Sequence, residues 1–216
     1  MAQGVIAITE QRDGKFRKVS YEVVSEGRRL ADGLSCPLTA VIIGAGVEAL
    51  AAEIKKYGPD KIVVLDDPGL ADYRTDAYTN VLADVVTSLA PAVVIAGASS
   101  QGKDLCARLA ARLDAGLAMD CTAVSVQNGA ITCTRPMFGG KIFADIQIQG
   151  APQLIAVRPN VMSITEAARE AAVSTPAVRL GEVKTAVVEK VMDTGSKVEL
   201  TESEVIVSGG RSGRSS

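Results

Sequence analysis

Residues 97–104 read GASSQGKD, the stretch of this chain that comes nearest to a familiar chemistry. Gly97, Gly102 and Lys103 have the spacing of a loop that cradles phosphate with backbone N–H groups, and the stretch falls between a strand-like and a helix-like run. Such a loop needs Ser or Thr after the lysine to reach magnesium. Asp104 stands there instead, and its carboxylate would face phosphate oxygens at close range. The residue types therefore predict a helix start, capped by Ser99 or Ser100, with Asp104 favoured by the positive end of the helix dipole.

Other candidates are weaker. Gly44-Ala45-Gly46 is a lone G-x-G without the third glycine of a dinucleotide fingerprint and reads as a tight strand-to-helix turn. Asp66-Asp67 ends a strand-like run, where ligands of open α/β sheets bind, but two acids before Pro68-Gly69 are also good turn formers. TRPMFGGK (134–141) and VRPN (157–160) place Arg135 and Arg158 where they could pair with Asp120 or Asp145, which favours a structural or interface use. The last stretch, EVIVSGGRSGRSS, reads as a buried strand (Val205 to Val207), a tight turn (Gly209, Gly210) and a cation, Arg211, placed where such turns meet a ligand. The chain has no histidine, so Ser-His and Cys-His machinery within it is excluded. Cys36, Cys106, Cys121 and Cys133 show no C-x-x-C spacing and read as buried free thiols rather than a zinc cage or disulfide framework. No convincing nucleophile with a base, no carboxylate pair at glycosidase spacing and no metal cluster stands out.

The elements that would position these residues alternate. GVIAIT (4–9), LTAVIIGAG (38–46), DKIVVLDD (60–67) and PAVVIAGAS (91–99) read as strands; 20–35, 47–58, 74–90 and 102–114 read as helices, the second ending at a C-cap-like Gly58. Near-continuous Val and Ile runs between amphipathic helices mean strands covered on both faces. The fold class expected is therefore α/β, a three-layer Rossmann-like parallel sheet. From 121 to 159, short alternating runs split by Asn128-Gly129 and Gly139-Gly140 predict an appended antiparallel β region, which is also where a partner surface is expected. Residues 163–178 read as a connector with some helix, 181–192 as a further strand and 193–203 as a polar linker. The 216 residues carry 47% apolar and 22% charged side chains and a net charge of -2, a profile that suggests neither nucleic acid nor an anionic membrane as partner. No apolar run reaches the ~18 residues of a membrane span, and Met1 leads straight into a strand, so a cytoplasmic location is expected.

Taken in order, GASSQGKDLCARLAARLDAGLAMDCT (97–122), TRPMFGGKIFADI (134–146), PQLIAVRPN (152–160) and LTESEVIVSGGR (200–211) give a sequence that resembles the α subunit of the electron-transfer flavoproteins. The resemblance implies an N-terminal α/β domain of nucleotide-hydrolase-like topology over residues 1–192, which binds no cofactor, then the linker, then at 204–216 the first strand and turn of a flavodoxin-like domain that holds FAD. It implies that Arg211, with Gly209 and Gly210, contacts the FAD diphosphate region, and a guanidinium beside Gly-rich backbone N–H groups suits that task. After Arg211 the expected flavin domain is replaced by SGRSS, so the chain alone is expected not to keep FAD. The implied partner is a β subunit of similar fold, and the implied function is to carry electrons from dehydrogenases to a quinone reductase or similar acceptor, the chemistry belonging to FAD rather than to a catalytic residue. An adenine-nucleotide module of universal-stress-protein type shares the topology but needs a complete phosphate loop in the C-terminal part of the sheet; an ATP-pyrophosphatase would need the GASSQGKD loop, against which Asp104 argues.

Overall fold

A computed structural model describes residues 4–191, 203 and 205–210. The chain opens with β1 (Val5–Ile8), a two-stranded ribbon of β2 (Gln11–Arg12) and β3 (Lys15–Phe16), and helix α1 (Lys18–Gly33). Then come β4 (Leu38–Gly44), α2 (Leu50–Ile54), β5 (Lys61–Asp66), α3 (Thr75–Leu89), β6 (Val93–Gly97) and α4 (Ser100–Leu113). The second half holds β7 (Leu117–Cys121), β8 (Ala123–Gln127), β9 (Ala130–Met137), β10 (Ile142–Ile146), β11 (Gln153–Val157) and β12 (Ala172–Ser174).

Seven strands form one sheet in the order β12-β5-β4-β1-β6-β11-β7, every pair parallel. The central strands bury every residue, so successive side chains feed two different cores. On one face Val5, Ala7, Ala40 and Ile42 pack with Val23 and Val24 of α1 and Ile54 of α2. On the other, Ile6, Val41, Ile43 and Val94 pack with Leu82 of α3 and Leu109 of α4. This is the expected three-layer α/β arrangement. The chain winds outward from β1 to β4 and β5, then returns through α3 to place β6 on the other side of β1. The reversal between β1 and β6 is the topological switch point, where open α/β sheets form a crevice at the strand ends.

β8, β9 and β10 form the antiparallel sheet expected in the second half. Asn128 and Gly129 both take positive φ, 51° and 78°, in a tight two-residue connection between β8 and β9. Gly58 at φ 84° closes the turn after α2.

Four readings are corrected. β11, assigned from sequence to the antiparallel region, returns to the parallel sheet and inserts between β6 and β7. Residues 163–178 contain no helix; three of them form β12, which extends the sheet beside β5. Residues 181–191 are not a strand but a strap across α3: Asp76 accepts hydrogen bonds from the backbone N–H groups of Lys184 (2.7 Å) and Thr185 (3.0 Å), and Asn80 donates to the carbonyls of Leu180 (2.9 Å) and Glu182 (3.1 Å). Side chains of α3 thus take the backbone groups that a ladder would need. Val205, Ile206 and Val207 are not a buried strand but lie 80%, 57% and 94% exposed, without strand pairing among the described residues. An isolated apolar run has no sheet to join there. Residues 192–202, Glu204 and residues 211–216 lie outside the described residues, and with them Arg211 and all of the linker read at 193–203 except Ser203.

Candidate functional site

The switch-point crevice is a cleft of about 540 Å³ lined by Arg12, Arg17, Lys18, Tyr73, Asp104 and Asn160 among others. GASSQGKD forms its floor at the start of α4. Ser99 is the N-cap, with extended backbone (φ -63°, ψ 174°) and its hydroxyl oxygen accepting from the Gly102 N–H at 3.0 Å. The same hydroxyl donates to Oε2 of Glu10 at 2.6 Å. Glu10 follows β1, is 8% exposed, and also receives Nη1 of Arg17 at 3.2 Å. The protein's own carboxylate, relayed through Ser99, thus stands at the helix N-terminus, where a phosphate-binding loop would receive its anion.

Lys103 turns away, its Nζ 3.9 Å from Asp120, and Asp104 accepts from the Tyr73 hydroxyl at 2.6 Å. Burial and the adjoining Asp104 carboxylate push the Tyr73 phenol well above its usual range. The capping role read for Ser99 holds. Ser99→Ala removes the cap and one of Glu10's partners together, and we expect a loss of about 2 kcal/mol in urea unfolding.

Two other motifs prove to be one unit. The Asp66 carboxylate accepts from the N–H groups of Gly46 (2.8 Å) and Val47 (2.7 Å), so the G-x-G turn after β4 is filled by the acid that ends β5. Asp67 caps its own turn by accepting from the Gly69 N–H at 2.7 Å. Arg158 makes a two-pronged contact with Asp120, 3.1 Å from Nε and 2.6 Å from Nη2. That hydrogen bonding holds the Asp120 carboxyl below its usual range and raises the guanidinium's pKa. Asp145 instead accepts from the Thr134 hydroxyl at 2.6 Å. The four cysteines are free; burial pushes the Cys106 thiol up to about 12, the state of an inert structural thiol. Among the described residues there is no group of three or more His, Cys, Asp or Glu side chains placed to hold a metal, and no helix long and apolar enough to cross a membrane.

Of the residues read as cofactor-binding, two are described. Gly209 and Gly210 are exposed, and a Cβ on Gly209 would meet nothing within 4 Å; Arg211 lies outside the described residues.

Within the stretch read as structural or interface, the side chains that residue-by-residue reading did not single out are apolar and exposed. At the tip of the β9–β10 hairpin Phe138 is 73% exposed, Phe143 65%, Ile142 49% and Met137 36%. Two of the chain's three phenylalanines lie here. Phe138 takes a φ of 51°, unusual for a bulky side chain and a form of strain that clusters at functional sites. The signal was available in MFGGKIF, where two aromatics flank a Gly-Gly turn in a chain otherwise poor in them.

A model of the electron transfer flavoprotein domain matches residues 5–181. The chain is 39% identical over 215 residues to Protein FixB of Clostridium saccharobutylicum, covering 97% of this chain and 64% of that protein. To the electron transfer flavoprotein subunit alpha of Bacillus subtilis it is 37% identical over 215 residues, covering 98% and 65%. To the acryloyl-CoA reductase electron transfer subunit beta of Anaerotignum propionicum it is 38% identical over 233 aligned residues, covering 94% and 64%. The chain thus spans slightly less than two thirds of the length of these relatives. With a family model covering most of the parallel sheet and relatives aligned along nearly its whole length, the chain belongs to the electron transfer flavoprotein family.

Proposed function

We propose that residues 1–192 are the N-terminal scaffold domain of a cytoplasmic electron transfer flavoprotein α subunit, and that this domain docks a β subunit. Residues 193–203 then link it to residues 204–216, which begin a flavin-holding domain. In the complete carrier FAD supplies the redox chemistry, passing electrons from dehydrogenases to a quinone reductase or similar acceptor, and Arg211 with Gly209 and Gly210 adjoins its diphosphate. Alone, the chain retains no FAD. No side chain here is assigned a catalytic role.

The observation that carries this reading is the exposed apolar surface of the antiparallel sheet, Met137, Phe138, Ile142 and Phe143, on a domain in which Ser99, bonded to Glu10, takes up the N-terminus of α4 beside the switch-point cleft. A surface of that kind fits protein contact, with aromatic anchors surrounded by polar groups. The test is co-expression with a relative's β subunit, recording complex mass and visible spectrum. We expect a complex with one copy of each subunit, which Phe138→Ser weakens at least tenfold, an aromatic anchor being worth that much or more. Absence of any complex would remove the docking role, and a flavin spectrum from the chain alone would remove the assignment of the cofactor to the complete carrier.

A further inference from the structure

β7 carries a bulge. Against β11 its register passes from Met119 opposite Ala156 directly to Cys121 opposite Val157, so Asp120 is left over, and it takes a φ of 64° that few non-glycine residues adopt. The bulge decides where Cys121 points. Ala118 faces the core packed by α1 and α2, and Met119 the core packed by α3 and α4, so plain alternation would send Cys121 to the same side as Met119. The extra residue turns it back, and Cys121 joins Ala118 in the first core, fully buried.

Cys133 of β9 enters that same core from the antiparallel sheet and is also buried. The two thiols meet there and are hydrogen-bonded to each other. Beside them the Thr122 N–H donates to the Thr134 carbonyl at 2.8 Å, so the residues that follow the two cysteines are already tied backbone to backbone. Of the pair, Cys133 is the one that ionises first. The Cys121 S–H donates to its thiolate, which holds Cys133 below the usual thiol range and Cys121 above it. The other two cysteines lie elsewhere, Cys106 in the opposite core and Cys36 with its carbonyl beside the Arg28 guanidinium. Without the bulge, Cys121 and Cys133 would stand on opposite sides of the main sheet.

We propose that Cys121 and Cys133 form a peroxide-responsive dithiol that closes into a disulfide between β7 and β9. The Cys133 thiolate attacks one oxygen of hydrogen peroxide; the O–O bond breaks, hydroxide leaves and a sulfenic acid remains on Cys133. The Cys121 sulfur then displaces the sulfenic oxygen, which departs as water with the Cys121 proton. Two thiols lose two electrons, and one peroxide becomes two waters once the hydroxide takes up the proton that Cys133 had released. Hydrogen peroxide is small enough to reach a buried sulfur during a brief local opening, which a bulky disulfide oxidant is not. The bond ties the last strand of the parallel sheet to the hairpin that carries Phe138 and Phe143. The inference does not rest on the flavoprotein reading.

The test treats the reduced, folded 216-residue chain with a small excess of hydrogen peroxide, stops the reaction with catalase, unfolds the chain in N-ethylmaleimide and reads its intact mass and a non-reducing peptide map. The expected product carries two maleimides rather than four, the map joins Cys121 to Cys133, and dithiothreitol before alkylation restores all four. The two serine variants should behave differently from each other. Cys121→Ser stops at the sulfenic acid, trapped on Cys133 by unfolding into dimedone, whereas Cys133→Ser leaves Cys121 a thiol at the same dose. Cys106→Ser still forms the bond. Absence of the Cys121–Cys133 bond after peroxide, or a bond that forms only in denaturant, would overturn the proposal whether or not a variant folds and whether or not a β subunit binds.

Discussion

Gly102→Ala is expected to destabilise the protein by about 3 kcal/mol or more, placing it among the severe single substitutions. A Cβ on Gly102 would lie 1.8 Å from the carbonyl oxygen of Gly97 and 3.0 Å from its carbonyl carbon. Both are backbone atoms of the last residue of β6, next to the switch point, and no rotamer change relieves the overlap. The first turn of α4 would have to lift, and Leu105, Cys106 and Leu109, all buried, would lift with it. The requirement is one of space rather than backbone freedom, since Gly102 does not take positive φ. Thermal unfolding should show a fall in Tm of roughly 10 °C for a chain of this size. Gly209→Ala is the control: it meets nothing within 4 Å and has no positive φ, so its Tm should be unchanged.

Gly102 also shows why the sequence revealed the sheet's interior more readily than its limits. β1, β4, β5 and β6 are β-branched runs whose residues are almost all buried, and two buried faces erase the polar alternation; such runs announce a parallel sheet. β11 carries the same signature in Leu154-Ile155-Ala156-Val157, but its neighbours in sequence are hairpins, and nothing local says that a strand after an antiparallel excursion returns to the main sheet. β7 is the sheet's last strand and mixes partly exposed Met119 and Asp120 with buried Ala118 and Cys121, while β12 is three exposed residues. Edge strands need bury only part of their surface, so their pattern is weak.

The site was legible in pieces. Local chemistry and charge narrowed the cap to Ser99 or Ser100 and the acid paired with Arg158 to Asp120 or Asp145, and the fold selects Ser99 and Asp120. Asp66 and the Gly44-Ala45-Gly46 turn were visible as separate motifs, but that one fills the other depends on β4 lying beside β5, which their spacing does not state. Glu10 gave no motif at all; a single acid just after a buried strand becomes informative only when Ser99 and Arg17 converge on it from two other elements.

Asp76 lies 6% exposed near the start of α3 and makes the second large prediction. Its Oδ2 accepts from the backbone N–H groups of Lys184 and Thr185, and its Oδ1 from the Thr185 hydroxyl (2.7 Å) and the Ala77 N–H (2.9 Å). Burial alone would raise this carboxyl's pKa. The Thr185 hydroxyl and the three backbone donors outweigh burial and hold it at about 2, below its ordinary value near 3.8. A lowered pKa means that the ionised form stabilises the strap above the ordinary value, and that this support is lost as pH falls from about 4 through 2. Asp76→Ala removes all four acceptor contacts and leaves the Lys184 and Thr185 amides without their partner, a loss of roughly 3 kcal/mol. The strap can detach while the sheet stays folded, so most of that loss should appear as local opening rather than global unfolding. Hydrogen exchange at neutral pH should then show protection of the Lys184 and Thr185 amides falling about 100-fold, with much smaller changes in β1 and β6. Unchanged protection would mean that Arg74, which donates to the Thr185 carbonyl, and Asn80 suffice to hold the strap. With Asp76 as the principal anchor, the wild-type amides should lose protection in acid below pH 4, whereas those of Asp76→Ala, already exposed at neutral pH, should show no further step.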